Sequence, residues 1–405
     1  MKSIIKSFVF AAVLLTAFSV YVGTLVPSAM YFASGEEIMV KSLPMISLEK
    51  KPLKGQSKSA NASSKLEYQA KLFGVLPVKT VNVSTGTVKK VSVAGTPFGI
   101  KMFSDGVMVV GFSEVLTSTG YQSPAKLAGI RMGDIIISMN GTPTKSNDEV
   151  ETIIKKSGQR PITVDYIRDD SQHSATLVPA MDSSTGGLRT GMWVRDSSAG
   201  VGTMTFYDTQ RNLFAGLGHG IKDADTQKDI RLLSGEIVPV KIIGLVKSKN
   251  GETGELKGAF LTSFPSGKVL MNKDSGVYGQ IFSAVNENMM EIASPQEVLP
   301  GKAYILTTIS GTKPKQYEII IEKVSLTSQN INKNMVIRIT DPELLALTGG
   351  IVQGMSGSPI VQNGKLVGAV THVFVNQVER GYGIFAQNMM FTLDAMEGIA
   401  LKSAS

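Results

Sequence analysis

A glycine-rich segment near the end of the chain carries the strongest chemical signal in the sequence. It reads GMSGSP from Gly354 to Pro359, so one serine stands between two glycines. A serine that attacks a carbonyl group needs backbone N–H donors aimed at the oxygen that becomes negative, and glycines permit the sharp turn that aims them. The segment predicts Ser356 as a nucleophile and the amides of Gly354 and Ser356 as an oxyanion hole. A small-residue turn between two strands is the alternative interpretation.

A serine nucleophile needs a base, and histidine is the usual one at neutral pH. The chain contains three histidines. His219 follows the apolar run Phe214–Leu217 and is enclosed by glycines, a pattern typical of a buried strand that ends in a closely packed imidazole. We therefore predict His219 as the base. His173 lies in a polar turn and is interpreted as solvated, whereas His372 is interpreted as a structural residue or a residue of the cleft.

The composition excludes several other chemistries. No cysteine is present, which removes disulfides, thiolate metal sites and a cysteine nucleophile. The sequence has neither a His-Glu-x-x-His metal motif nor a glycine-rich phosphate loop, and we expect no cofactor and no metal. The net charge of +8 is spread along the chain without a basic run that interleaves with aromatic residues, so no nucleic-acid partner is expected.

The elements that must position the serine and the histidine are mostly strands. From residue 181 onward, short alternating apolar runs are separated by glycines, which favours a barrel or a sandwich. A final helix is expected from Asn388 to about Met396. We assign residues 181–405 to the domain that carries Ser356 and His219.

A second unit spans residues 71–180 and contains clear turn and helix signals. Ser146 and Glu149 form a capping box ahead of one helix, and Ser123-Pro124 opens a shorter one that ends at Gly129. The stretch from Ser123 to Gly141 resembles the core of a PDZ domain of the bacterial protease type. Such domains bind peptide ends or extended segments by adding a strand to a sheet edge.

The PDZ resemblance also implies a ligand contact. The segment Pro97, Phe98, Gly99 and Ile100 is similar to the loop whose backbone amides hold a terminal carboxylate in that family. The alternative is a domain that only packs on its neighbour and binds no peptide.

The first thirty residues predict a membrane anchor. Lys2 and Lys6 precede an uncharged apolar stretch from Phe8 to about Val26, which at about 1.5 Å per residue is long enough to cross a bilayer core of about 30 Å. The positive charges keep that end in the cytoplasm, so the rest of the chain is expected outside. A cleaved signal peptide is the alternative. Residues 31–70, whose centre is small, polar and basic, are expected to form a flexible linker.

The chain as a whole resembles the sporulation serine peptidase family, stage IV sporulation protein B. The resemblance is carried by residues 191–208, 217–220 and 348–360, and by the order of anchor, PDZ domain and peptidase domain. It implies a mainly β fold with some α, in which a PDZ-like domain precedes a trypsin-like double β-barrel. It also implies a self-cleaving endopeptidase that acts in the forespore intermembrane space and releases a signal that activates processing of a late sigma factor.

The third catalytic residue is implied only by that resemblance, which places the family aspartate at Asp341. The local sequence offers a rival role, because an aspartate before Pro342 is a good helix cap. Asp274 better fits the trypsin-like order, in which the acid lies between histidine and serine. Asp223 and Asp225 lie near His219 in the sequence and remain further alternatives.

These observations favour an extracytoplasmic, membrane-tethered serine endopeptidase. The expected partners are the membrane and a protein or peptide substrate, which includes the chain's own amino-terminal region between about Ser34 and Gln69. The alternative is a non-catalytic PDZ-containing adaptor at the membrane surface. A general quality-control protease ranks lower, because such enzymes usually carry the PDZ domain after the peptidase.

Overall fold

The computed structural model describes residues 2–35, 37–51, 66–283 and 287–403. It begins with helix α1, Lys2–Leu25. Within α1, Ile5–Leu25 has a mean hydropathy of 2.1 and is long and apolar enough to cross a membrane. Among the described residues it is the one helix with this property, and nearly all of it is exposed. The predicted apolar amino-terminal helix is therefore confirmed as a helix.

A four-stranded sheet follows α1, with the strand order β1-β4-β3-β2. Its strands are β1 Ala29–Ala33, β2 Ile46–Lys50, β3 Leu66–Leu72 and β4 Leu76–Gly86. The prediction of a flexible linker over residues 31–70 is wrong where β1, β2 and β3 form, because alternating apolar side chains such as Tyr68, Ala70 and Leu72 bury one face of the sheet. The centre of the predicted linker, residues 52–65, lies outside the described residues.

The next elements lead into the small unit, whose predicted start at residue 71 is too early because residues 71–86 lie in β3 and β4 of the amino-terminal sheet. They are β5 Lys90–Val93, β6 Pro97–Phe112, β7 Val115–Thr117, β8 Gly120–Gln122, α2 Pro124–Leu127, β9 Ile135–Met139, β10 Thr142–Pro143, α3 Asn147–Ser157, β11 Ile162–Arg168, β12 Ser171–Leu177, β13 Ala180–Met181 and β14 Leu188–Arg189. Of these, β5 pairs with strands outside the small unit. The predicted capping box is present at the start of α3, where Ser146 and Glu149 exchange hydrogen bonds. Buried residues of α3 and of β6, β9, β11 and β12 form one core.

The first of two barrels contains the strands around His219. Its further elements are β15 Met192–Asp208, β16 Leu213–Gly216, β17 Leu232–Val246, β18 Glu255–Phe260, β19 Gly267–Lys273, β20 Gly276–Ile281 and β21 Met289–Glu291, with a short 3-10 helix at Pro295–Glu297. Strands β6, β17, β19, β20, β16 and β15 pair in that order, and β15 returns to β6, so the ring closes.

The second barrel contains the strands around Ser356. Its elements are β22 Gly301–Thr307, β23 Lys315–Val324, β24 Met335–Ile339, α4 Pro342–Thr348, β25 Pro359–Gln362, β26 Lys365–Phe374, β27 Gln377–Phe385 and α5 Ala386–Ser403. The barrel closes in the order β22-β23-β24-β27-β26-β25. Together the small unit and the two barrels confirm the predicted fold class, a PDZ-like domain followed by a trypsin-like double β-barrel.

Two long strands belong to both the small unit and the first barrel, which corrects the expected boundary at residue 180. The first half of β6 pairs with β15 and β17 in the barrel, and its second half pairs with β9 in the PDZ-like sheet. The change falls at Gly106, whose φ is 102° and whose missing Cβ leaves room for Ile135 and the carbonyl oxygen of Ile136. Strand β15 likewise pairs with both halves of β6. The PDZ-like domain and the first barrel therefore share the strand pair β6 and β15.

Candidate active site and peptide groove

The two predicted catalytic side chains lie in one cavity. It has a volume of about 400 Å³ and is lined by Ser356, His219 and His372, together with Ser198–Val201 of β15. The first barrel supplies His219 and β15, and the second barrel supplies the other two side chains. The cavity therefore brings together residues that are 137 positions apart in the sequence.

The loop that carries Ser356 is fastened to the first barrel by strand β15. The Thr203 hydroxyl donates to the carbonyl of Gly354 at 2.7 Å, and the Thr203 amide donates to the carbonyl of Ser356 at 3.0 Å. Further along β15, the Thr205 hydroxyl donates to the carbonyl of Gly357 at 2.8 Å. Three hydrogen bonds thus tie the nucleophile loop of one barrel to a single strand of the other.

The loop geometry fits the predicted oxyanion hole. Gly354 and Gly357 have φ values of 97° and 93°, in the region that favours glycine. The amides of Met355, Gly357 and Ser358 donate to backbone carbonyls. Among the residues that the structure describes, the amides of Gly354 and Ser356 have no such partner. The two amides that the sequence selected are thus available to a developing negative charge.

The hydroxyl of Ser356 is turned toward the strand that follows it. It donates to the carbonyl of Thr371 at 2.8 Å, on β26. Rotation about the Cα–Cβ bond is needed to direct this hydroxyl toward an imidazole. Side-chain rotations of this kind are fast compared with enzyme turnover.

His219 is held in the tautomer that a general base requires. It follows Leu217 and Gly218, whose φ values are 66° and 72°. Its Nδ1 lies 2.8 Å from the carbonyl oxygen of Gly220, and because a carbonyl only accepts, Nδ1 carries the proton. Nε2 is then the free acceptor. Burial lowers the pKa of His219, and the Gly220 hydrogen bond opposes this effect only in part, so the ring is neutral at pH 7.

His372 is a site residue whose position the sequence left open. Its ring centroid lies 4.9 Å from that of His219, with an angle of 39° between the two planes. Burial, and then the neighbouring His219, lower the pKa of His372 to about 4, and its Nδ1 is buried without a hydrogen-bond partner. The sequence signal that indicates His372 is its position sixteen residues after Ser356, on the second strand after the nucleophile loop.

Asp341 does not reach this cavity, which corrects its assignment as the third catalytic residue. It is the N-cap of α4: one carboxylate oxygen accepts from the Leu344 amide at 3.0 Å, and the other accepts from the Glu318 amide at 3.3 Å. Both oxygens thus serve backbone amides. The physical reason is local, since an aspartate before a proline at the first helical position is a strong helix start.

The alternative aspartates differ in their surroundings. Asp223 and Asp225 both pair with Arg195, each at 2.6 Å. Asp274 does line the cavity. In the part of the chain that the structure describes, no carboxylate hydrogen-bonds to His219; the carbonyl of Gly220 occupies the position next to Nδ1.

We expect substitutions of Asp341 to affect folding more than chemistry. Asp341→Asn should keep the cap, whereas Asp341→Ala should lower the free energy of unfolding by about 1 kcal/mol. Cleavage by both variants should fall only in proportion to the folded fraction, measured by thermal unfolding beside the activity assay. Glu343→Gln, a change in the same helical turn, is the matched control. Loss of cleavage in Asp341→Asn at unchanged stability would instead make Asp341 an orienting residue.

The segment predicted to hold a terminal carboxylate is not a loop. Pro97–Ile100 lies in β6, where it pairs on one side with β15 and on the other with β17. The side chains of Phe98 and Ile100 are buried in the core of the first barrel. The predicted role of Pro97, Phe98, Gly99 and Ile100 is therefore wrong, because barrel closure uses both edges of this strand.

A different groove lies at the edge of the PDZ-like sheet. Its volume is about 630 Å³, and it runs between α3 and the segment Leu188–Val194. Met192 in that segment pairs with Phe112 of β6, so β15 forms the sheet edge that faces α3. Val150 and Ile154 of α3 supply the apolar wall. The sequence signal for this groove is the Gly191-Met192-Trp193 turn into a strand, which lies in the range 181–405 that sequence patterning alone assigns to the peptidase domain.

Comparisons with known proteins agree with this architecture. Residues 118–168 match the PDZ domain model, and residues 186–390 match the model described as SpoIVB peptidase S55. The fold and the site define a serine peptidase of the two-barrel class that carries a PDZ domain. The chain belongs to the SpoIVB peptidase S55 family, whose model spans half of it.

Curated relatives are similar over shorter stretches. The putative serine protease HhoA of Synechocystis sp. is 34% identical over 77 residues, 19% of this chain and 18% of that protein. The magnetosome formation protease MamE of Paramagnetospirillum magneticum is 27% identical over 95 residues, 23% of this chain and 13% of that protein. The chain thus spans less than a fifth of either relative. Among solved structures, the active form of the Rv3671c protease from M. tuberculosis has 12% identity and a TM-score of 0.28, over 49% of this chain and 74% of that one.

Proposed function

We propose that this protein is a membrane-tethered serine endopeptidase that acts outside the cytoplasm, on the intermembrane side of a forespore, in a sporulation signalling pathway. Ser356 is the nucleophile, His219 the base, and the amides of Gly354 and Ser356 the oxyanion hole. The observation that carries the proposal is the single cavity that holds both side chains beside two available amides. Membership of the SpoIVB peptidase S55 family supports the proposed pathway and compartment.

The chemistry follows from the arrangement of the cavity. The Ser356 hydroxyl leaves the Thr371 carbonyl, gives its proton to Nε2 of His219 and attacks the substrate carbonyl. The two amides stabilise the resulting oxyanion. The carbonyl of Gly220 stabilises the imidazolium by accepting from Nδ1, the position that a carboxylate holds in a Ser-His-Asp triad. The neutral His372 beside the ring adds no positive charge.

A non-catalytic adaptor is the second candidate, and one observation favours it. The Ser356 hydroxyl donates to the Thr371 carbonyl, and within the described residues no hydrogen bond joins it to His219. The unpartnered amides of the same loop weigh against the adaptor, since an inactive copy has no use for them.

The substrate is proposed to include the chain's own amino-terminal region. Of the range Ser34–Gln69, β2 and the start of β3 are paired strands, which are poor protease substrates. The cut is therefore expected between Lys51 and Leu66, where the composition is small and polar. Because β1 pairs with β4 and β2 pairs with β3, the two products should stay associated after this cut.

Mass analysis of the purified full chain tests self-cleavage. With time, denaturing mass spectrometry should show two fragments whose boundary lies between Lys51 and Leu66, while both elute together under native conditions. A chain that stays whole in the presence of an added protein substrate that it does cleave would refute self-cleavage alone. A chain that cleaves nothing would count against the endopeptidase.

The groove between α3 and Leu188–Val194 is proposed to hold an extended peptide segment by strand addition to β15. The same strand continues to Ser198–Val201 in the cavity wall and to Thr203, which holds the nucleophile loop. Peptide binding and cleavage are thereby linked through one continuous element.

Trp193 makes the groove testable, because it is the single tryptophan of the chain and lines the groove with 63% of its surface exposed. Titration with peptides that end in apolar residues should change its fluorescence in a saturable manner. Leu188→Glu should weaken binding by about tenfold or more, because it replaces an apolar side chain of the groove lining by a charged one. Val178→Glu, an exposed apolar position outside the groove, is the control. Equal affinities of the two variants would place the peptide elsewhere.

A further inference from the structure

The end of helix α1 is packed onto the amino-terminal sheet. Val22 and Val26 are almost fully buried in the core of that sheet. Gly23 lies against Val78 of β4, and the Lys79 ammonium group donates to the carbonyl of Val26 at 2.8 Å. The helix is thus joined to the sheet by side-chain packing and a hydrogen bond, which fixes the direction in which it leaves.

The strand pairing determines which end of the sheet faces the rest of α1. Strand β1 follows α1 and runs parallel to β4, with Ala29 opposite Asn82 and Ala33 opposite Gly86. Going backward along the chain from Ala29 into α1 therefore leads toward the start of β4. The turn that joins β3 to β4 lies at that end, and the contacts of α1 progress in the same direction, from Val26 at Lys79 to Gly23 at Val78.

This turn presents apolar side chains where a surface turn is usually polar. Phe73 is 67% exposed and Val75 is 75% exposed. The turn is not loose, because the Phe73 amide donates to the carbonyl of Met45 at 2.8 Å. Two lysines, Lys71 and Lys79, flank it. Exposed aromatic and aliphatic residues with lysines behind them are typical of segments that lie in a membrane interface.

We propose that the Phe73-Gly74-Val75 turn is a second membrane contact, seated at the boundary of headgroups and acyl chains beside α1. The sheet of β1–β4 is then held at the bilayer surface by two contacts, α1 and this turn, and these fix the orientation of the protein at the membrane. This inference rests on the proposed membrane location of α1 and is independent of the peptidase chemistry.

The absence of cysteine from the sequence permits a direct test in the full chain. Phe73→Cys and Val75→Cys are each labelled with an environment-sensitive fluorophore and placed in vesicles of phosphatidylcholine and phosphatidylglycerol. Some of the lipids carry a nitroxide quencher, either near the headgroups or near the chain ends. Val13→Cys, within α1, reports insertion of the helix. Val88→Cys lies just beyond the far end of the 11-residue β4, about 36 Å from its start, and is an exposed control.

We expect labels at positions 73 and 75 to be quenched strongly by the nitroxide near the headgroups, and the label at position 13 by the deeper one. The label at position 88 should be quenched by neither. Quenching at position 13 with none at 73 and 75 would overturn the second contact and leave the anchor intact. No quenching at position 13 would overturn the anchor and the inference together. Thermal unfolding of each labelled protein checks that the sheet is preserved, which is expected because both turn residues are exposed.

Discussion

Ser356→Ala is expected to abolish proteolysis while the protein stays folded. Removing the nucleophile of a serine protease lowers the turnover rate by about 10⁶-fold, and removing the base costs a similar amount. The stability cost should be small, about 1 kcal/mol, because the change removes one hydrogen bond, from the hydroxyl to the Thr371 carbonyl. His219→Ala should give the same loss of activity, and the double variant should lose no more than either single one, because the two residues act as a unit.

A fluorophosphonate probe measures this effect without a known substrate. It should label the wild-type chain at Ser356, and neither Ser356→Ala nor His219→Ala should take up label. Ser275→Ala is the matched control, since Ser275 also precedes a glycine. Its hydroxyl is hydrogen-bonded to the hydroxyls of Tyr278 and Thr392, so we do not expect it to act as a nucleophile. This control should be somewhat less stable and should still be labelled. Labelling of Ser356→Ala at another serine would move the active site away from the cavity.

Gly357→Ala is expected to have the second large effect, on stability and on activity together. A Cβ at this position would lie 2.0 Å from the carbonyl oxygen of Thr203 and 2.5 Å from the Leu217 amide. Both atoms are backbone, so neither can move without separating β15 or the His219 loop from the nucleophile loop. Overpacking costs about 1 to 3 kcal/mol, and the positive φ adds about 1 to 2 kcal/mol, so we expect a loss of roughly 2 to 5 kcal/mol in the free energy of unfolding.

Gly364→Ala separates the two contributions. Gly364 lies in the same barrel with a φ of 75°, and a Cβ there would meet nothing within 4 Å. It should therefore show the backbone strain alone and keep its activity. Denaturant unfolding of the two variants, with probe labelling below the transition, makes the comparison. Equal stabilities would mean that the contact between the barrels at Gly357 is looser than the geometry implies.

The sequence by itself determined the features that depend on neighbours along the chain. The α3 capping box, the apolar helix α1 and the glycines around Ser356 are local patterns, and each is found where it was expected. His219 was selected by its glycine-flanked strand end, and it lies in the cavity with Ser356. The double-barrel class also followed from strand patterning together with the family resemblance.

Only the tertiary structure decided which edges and which polar groups were left for function. Pro97–Ile100 has a local sequence similar to a carboxylate loop, but barrel closure uses both of its edges, and the groove that we propose for a peptide lies at Leu188–Val194 instead. Both carboxylate oxygens of Asp341 accept hydrogen bonds from backbone amides, so this side chain caps α4. His372 lies beside His219 because a strand of the other barrel positions it there. Pairing between strands far apart in sequence is set by the burial of whole sheet faces, so no window of neighbouring residues contains it.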